Sequence, residues 1–383
     1  WRCFIPESPR GRLTPTCYQR TISGNGDAGQ DASSPVKVGN PISLRRLDVS
    51  KVLVTGSTGF IGGHIVKANL ARGNSVRAFV LPGDPGEKSL KDRGVEVVNG
   101  DIRDYARVRE AADGREIIFH CAAIVTDWAP KKLFREVTVG GAENVARAAT
   151  DVKVKRLVDM STCDVFGTDE SIVMDETLPL KYWGEPYPDS KIDSEKIMWR
   201  YHKEQGLPVT MVYPLWVFGE GDQTFVPLLA DAIVKKDMIF WRKNAIVWPT
   251  YIDNLVDLLM LISEDERAVG NGYLVHDGES TTLQEFCDGI AAALNVPPIR
   301  TYIPYWSAMV AARAMEFIWR AGRIQKRPLL TTYTVTNLGS RFRFSIEKAE
   351  RELGWKPKIS YKEGFKRTME WLKTLDVASL KQK

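Results

Sequence analysis

From about residue 50 onward, short apolar runs alternate with amphipathic stretches, and each run ends in small or polar residues. Val52, Leu53 and Val54 form the first run, which stops at Thr55 and Gly56 before an amphipathic pattern from Phe60. Ser75–Val80 reads as a second strand, 94–98 as a third that ends at Asp101, and 117–123 as a fourth with a small-residue turn. A further strand over 155–160 runs into a Ser/Thr-rich turn. Strands alternating with helices at this pitch predict a parallel, doubly wound α/β sheet.

The first turn carries candidate chemistry. Its sequence is Thr55-Gly56-Ser57-Thr58-Gly59-Phe60-Ile61-Gly62. A strand that turns directly into a helix aims free N–H groups and a positive dipole end above the sheet. A pyrophosphate fits there only if no side chains intrude. Gly56 suits the tight turn, Gly59 the close approach to phosphate, and Gly62 the packing of helix on strand. The flanking strand and helix favour a nucleotide site over a merely structural turn.

A second constellation lies downstream. Tyr187 is the only one of twelve tyrosines with a lysine, Lys191, at the fourth position after it. Pro188 suits a first helical turn, so a helix is expected to begin just after Tyr187, with Lys191 on the same face. A phenol titrates near pH 10, and a nearby ammonium lowers that value. Tyr187 could then exchange a proton with a substrate oxygen. Thr162, at the end of the strand over 155–160, is a candidate hydroxyl donor, with Ser161 as its neighbour.

These segments resemble the extended short-chain dehydrogenase/reductases of the NAD-dependent epimerase/dehydratase superfamily. The resemblance rests on two residues, not one, between Gly56 and Gly59, on Ser161-Thr162-Cys163-Asp164-Val165-Phe166-Gly167, and on the Tyr187/Lys191 couple. It implies a Rossmann fold with a smaller C-terminal α/β substrate lobe. It also implies roles for particular residues. Gly56 to Gly62 and Lys191 would hold the cofactor, Asp101 and Ile102 would meet adenine, and Ala122 and Ala123 would lie beneath it. The backbone from Pro214 to Val217 would receive the carboxamide, and Thr162 would polarise the reacting oxygen beside Tyr187. Thr250 to Val256, Phe344 to Ala349 and Leu353 to Pro357 are similar to the 3β-hydroxysteroid dehydrogenase and sterol-4α-carboxylate 3-dehydrogenase branch.

Three departures matter. Tyr213 stands where arginine is usual, and Thr138 where the family commonly has asparagine. Val80 and Leu81 occupy the end of the second strand, where a carboxylate would select NAD and an arginine NADP. Arg77 and Lys88 are the nearby candidates for the extra phosphate, and Asp84 for a ribose hydroxyl. The missing carboxylate tilts the choice of NAD or NADP toward NADP.

Composition changes the picture at two places. Residues 1–47 carry Arg2, Arg10, Arg12 and Arg20 among Ser, Thr, Pro and Gly, and read as a disordered or organelle-targeting leader. That leaves cytoplasmic and organellar locations open. The stretch from Tyr305 to Arg320 is heavily apolar, with Arg313, Glu316 and Arg320 on one stripe. It is too short to span a bilayer, so it either lies at a membrane surface or packs on the substrate lobe. The net charge of +5 across 383 residues, without a basic tract, argues against nucleic acid. Five cysteines and four histidines show no metal-ligand spacing.

The expected domains are the leader over 1–47, a dinucleotide-binding domain over 48–262, and a substrate lobe over 263–383 with contributions from about 165–186 and 216–250. The expected activity is NAD(P)-dependent oxidation of a secondary alcohol on an apolar, sterol-like substrate, with decarboxylation where a carboxylate lies beta to the new ketone. Trp216, Phe225, Trp248, Tyr305, Trp306, Met309 and Trp319 would line an apolar slot. Arg242, Lys243 and Arg323 keep a nucleotide-sugar epimerase or reductase open. A non-catalytic nucleotide-binding subunit, and a homodimer, also remain open.

Overall fold

The computed structural model describes residues 49–324 and 326–375; the expected leader over 1–47 lies outside them. Seven strands build the main sheet: β1 Lys51–Thr55, β2 Ser75–Val80, β3 Glu96–Asn99, β4 Ile117–His120, β5 Arg156–Met160, β6 Val209–Pro214 and β7 Gly272–Val275. Their order is β7-β6-β5-β4-β1-β2-β3, and every neighbouring pair is parallel. The order reverses between β1 and β4, which opens a crevice above their carboxyl ends.

Strand alternation explains why both faces are covered. Val52 and Val54 enter one core with Phe119, Val158 and Met160, whereas Leu53 enters another with Ile118, Leu157 and Met211. Successive side chains point to opposite faces, so a run that is apolar at every position needs a helix layer on each side. Helices α1 (Phe60–Ala71) and α4 (Ile252–Ile262) cover the first face through Ile65, Val66, Leu255 and Leu259. Helices α2 (Gly140–Asp151) and α3 (Pro186–Gln205) cover the second through Val145, Ala149, Ile192 and Met198.

Two expected boundaries move. The third strand is Glu96–Asn99 rather than 94–98, because Gly94 takes φ +77° to close the preceding helix. The last strand of the main sheet, β7, lies beyond the expected domain boundary at 262 and ends at Val275. Four residues are too few for a period to announce that strand. Helix α3 starts at Pro186, not after Tyr187, so Tyr187 lies inside its first turn.

Short strand pairs attach the remaining chain. Val173–Met174 pairs with Arg343–Phe344, and Trp216–Phe218 with Pro249–Tyr251. Helices α5 (Tyr305–Ala321) and α6 (Thr332–Leu338) meet around Ala308, Ala312, Val335 and Trp241.

Candidate active site

The crevice floor is tied together at the strand ends. The Thr55 hydroxyl accepts from the backbone N–H of Cys121 (3.2 Å) and Ala122 (3.3 Å) and meets His120 Nδ1 at 2.7 Å. Burial, then the charge of Lys191, lowers the His120 pKa to about 3, so this ring is neutral.

Above the floor, two glycines are required by geometry. Gly56 has φ +67°, and a Cβ there would lie 3.0 Å from the backbone of Cys121 and Ala122. A Cβ on Gly62 would stand 2.2 Å from the Gly56 carbonyl oxygen. Gly59 differs: its Cβ would meet only that oxygen, at 3.2 Å. No side chain caps α1 and its first turn has no acidic residue. The Ser57 hydroxyl is buried with no partner. Free N–H groups beside an unpartnered hydroxyl and an open glycine fit a pyrophosphate. Ser57, Thr58, Phe60 and Ile61 supply the rest of that loop.

The flanks are partly spoken for. Asp101 binds Arg103 through Nε (2.9 Å) and Nη2 (2.6 Å), and that hydrogen bonding holds its carboxyl below the usual range. Its remaining lone pairs stay open to a donor such as an adenine amine. Ile102 is buried against Gly141. Beyond Ala122 and Ala123, the Ile124 N–H donates to the Thr138 hydroxyl at 3.2 Å, so Thr138 pins the loop after β4.

Arg77 is not available for a phosphate. It donates to the carbonyls of Ala111 (2.8 Å) and Asp113 (2.9 Å) and pairs with Glu96 at 2.8 Å. Asp84, by contrast, folds back onto the glycine loop, accepting from Thr58 Oγ1 at 2.9 Å and from the Gly86 N–H at 2.8 Å. Lys88 is exposed on the short helix Glu87–Asp92.

The catalytic candidates do converge. Tyr187 is half-buried at the start of α3, next to Thr162 at the end of β5. Lys191 is buried one turn on, its Nζ donating to the Met160 carbonyl at 2.6 Å. Burial, then the Asp164 charge, pushes the Tyr187 phenol above its ordinary value, while a hydrogen bond with Thr162 works the other way. The ammonium is turned to the strand end, where its charge faces Asp159, Cys121 and Glu195. Pro214 ends β6, and Val217 lies in the short strand beyond it.

Several neighbours were missed from the sequence. Asp164 is buried, accepts from the Tyr333 hydroxyl at 2.7 Å, and has its pKa raised to about 6 by burial. Tyr333 packs edge-on to Tyr187 with ring centroids 6.1 Å apart, and Trp183 stands 5.7 Å from Tyr333 and 6.3 Å from Phe342. Asp164 sits within the quoted strand-end stretch and was open to notice. Tyr333 has no local signal, because α6 reaches the site only through tertiary packing. Beneath them Glu195 accepts from Ser161 (2.9 Å), Tyr213 (2.6 Å) and Trp199 (3.0 Å), which gives Tyr213 a buried partner.

The seven aromatic and methionine side chains expected to share one slot do not. Trp216 and Phe225 belong to the first core, Trp248 to the second, and Tyr305 and Met309 to the α5–α6 cluster. Trp306 faces solvent, and the partly buried Trp319 leaves its indole N–H unpartnered. The ring that meets Tyr187 is Tyr333, which in turn packs on Trp183, and Trp183 on Phe342.

A family profile described as the NAD dependent epimerase/dehydratase family matches residues 52–275. The chain is 30% identical over 340 residues to a 3 beta-hydroxysteroid dehydrogenase/Delta 5-->4-isomerase of Mycobacterium tuberculosis, covering 81% of this chain and 87% of that protein. It is 28% identical over 317 residues to the 4-hydroxy-2-methyl-3-oxo-4-farnesyl-3,4-dihydroquinoline-1-oxide ketoreductase of Stigmatella aurantiaca, covering 82% and 94%. It is 27% identical over 366 residues to the decarboxylating sterol-4-alpha-carboxylate 3-dehydrogenase of Mus musculus, covering 92% and 97%. Among solved structures, a dTDP-glucose 4,6-dehydratase double mutant from Streptomyces venezuelae superposes with a TM-score of 0.69 at 24% identity, covering 85% and 97%. That likeness concerns the fold.

Proposed function

Since the chain belongs to the NAD dependent epimerase/dehydratase family and is an oxidoreductase of the extended short-chain type, we propose that it interconverts a secondary alcohol and a ketone on an apolar polycyclic substrate. A bound nicotinamide supplies the hydride acceptor or donor. Tyr187 holds and moves the proton at the reacting oxygen, Thr162 orients that oxygen, and Lys191 steadies the strand end beside them. The observation that carries the apolar reading is the run of aromatic rings that starts at Tyr187, from Tyr333 against it to Trp183 and on to Phe342. Of the cations that a nucleotide sugar could use, Arg242 is engaged by Glu170. A diphosphate would need that guanidinium unpaired.

The test is a comparison of turnover on a 3β-hydroxysteroid with binding of a uridine-diphosphate sugar. Steroid oxidation with negligible sugar-nucleotide binding is expected. Tight binding of the sugar nucleotide without steroid turnover would move the protein to the epimerases. Where the substrate also carries a carboxylate beta to the new ketone, loss of carbon dioxide needs no further catalytic group.

Arg77, one of the two candidates for the extra phosphate, has its donors engaged, which leaves Lys88 as the remaining one. With Asp84 hydrogen-bonded to the glycine loop, a carboxylate faces the region where an extra phosphate would add like charge. NAD is expected to bind more tightly than NADP in direct titrations. Asp84→Asn should narrow the gap by about tenfold, a shift of about 1.4 kcal/mol. Tighter NADP binding by the parent protein would reverse this assignment.

A further inference from the structure

Among the described residues, nearly half of the large apolar side chains left in solvent lie between Trp306 and Leu329. Trp306 is 69% exposed, Val310 58% and Phe317 75%. Together with Arg313 and Arg320 they recur at three- and four-residue steps, and so form one stripe along α5. The opposite face, with Ala308 and Ala312, is buried against Trp241 and Val335.

The charge on this stripe has one sign. Glu316 is the sole acidic residue between 305 and 330, where Arg313, Arg320, Arg323, Lys326 and Arg327 are basic. Glu316 is turned inward, accepting from the Thr332 N–H at 2.7 Å and its hydroxyl at 2.8 Å. Arg327 is held by Asp127, but Arg313, Arg323 and Lys326 lie exposed beside the apolar side chains. An apolar patch rimmed by polar groups marks an interaction surface. A second copy of the chain fits poorly, because a two-fold contact centred on the stripe would set Arg313 against its own counterpart.

We propose that this face of α5 docks on an anionic lipid surface. The helix lies in the interface plane with Trp306, Val310 and Phe317 inserted, and the exposed cations meet lipid phosphates. No helix among the described residues is long and apolar enough to cross a membrane. Docking there also sets the site near the bilayer. Thr332 joins Glu316 on α5 to Glu185, the residue just before α3 and two positions before Tyr187.

Co-sedimentation of the full chain with vesicles tests the proposal. Vesicles of phosphatidylcholine containing about a third phosphatidylserine should retain the protein, pure phosphatidylcholine should retain much less, and high salt should release it. Trp306→Glu with Phe317→Glu should lower the bound fraction by about tenfold or more. Arg313→Gln with Lys326→Gln removes only charge, and should erase the preference for phosphatidylserine even if the first variant folds poorly. Equal, weak retention on both vesicles would overturn the proposal. So would sedimentation-velocity evidence that the stripe variants abolish a dimer rather than vesicle binding. Neither result bears on turnover, so failure here is distinct from failure of the catalytic reading.

Discussion

Tyr187→Phe is expected to lower turnover by about 10² or more while leaving cofactor affinity within a few-fold of the parent. The substitution removes one hydroxyl and almost no volume, so the ring keeps its edge contact with Tyr333. What disappears is the proton carrier beside Thr162. Burial raises the phenol above its ordinary value, so it is protonated at neutral pH and suited to act as an acid. The reverse direction needs the phenolate, and its rate should climb as pH rises toward the phenol's pKa. Asp164 sharpens this test, because its charge is one cause of the rise. Asp164→Asn should therefore shift the alkaline limb of the pH–rate profile to lower pH. Near-normal turnover in Tyr187→Phe would sink the assignment, and an unmoved limb in Asp164→Asn would remove that carboxylate from the site's electrostatics.

Gly62→Ala and Gly59→Val should fail in different ways. A Cβ on Gly62 would lie 2.2 Å from the Gly56 oxygen and 2.8 Å from its carbonyl carbon, both backbone atoms that cannot swing aside. Forcing α1 off β1 should cost about 1–3 kcal/mol of stability, despite the better helix propensity of alanine. Thermal unfolding reads this loss directly. Gly59 has far more room, meeting only one atom at 3.2 Å. Gly59→Val should keep most of the parent's melting temperature yet bind nucleotide at least about tenfold more weakly, because its side chain projects where phosphate must approach. Unchanged nucleotide affinity in a folded Gly59→Val protein would falsify the placement of the pyrophosphate. Full stability in Gly62→Ala would show that the loop can give way there.

Five of the seven strands were readable because they are short apolar runs bounded by turn residues. Gly56 and Gly62 were readable because a positive φ and a sub-van-der-Waals approach leave glycine as the only residue that fits. The placement of Thr162 just past a strand end, and of Tyr187 and Lys191 one helical turn apart, was readable because such spacing is set locally. β7 was not, since a four-residue strand carries too little period, and its place in the sheet depends on β6.

What the chain alone determined, then, was the set of contacts made within one strand–turn–helix unit, where neighbours in sequence are neighbours in space. The tertiary structure decided everything that depends on distant segments meeting. Arg77 was a phosphate candidate until Ala111, Asp113 and Glu96 took its donors. Asp84 gained its place only when the loop after β2 folded onto Thr58. Lys191 and Tyr187 share a helix, yet the Met160 carbonyl on β5 decides where the ammonium points. Tyr333 joined the site from α6, and the aromatics expected to gather in one slot were dispersed among separate cores. Donors and charges act over a few ångströms with directional demands, and such distances across a fold are set by packing, not by spacing along the chain.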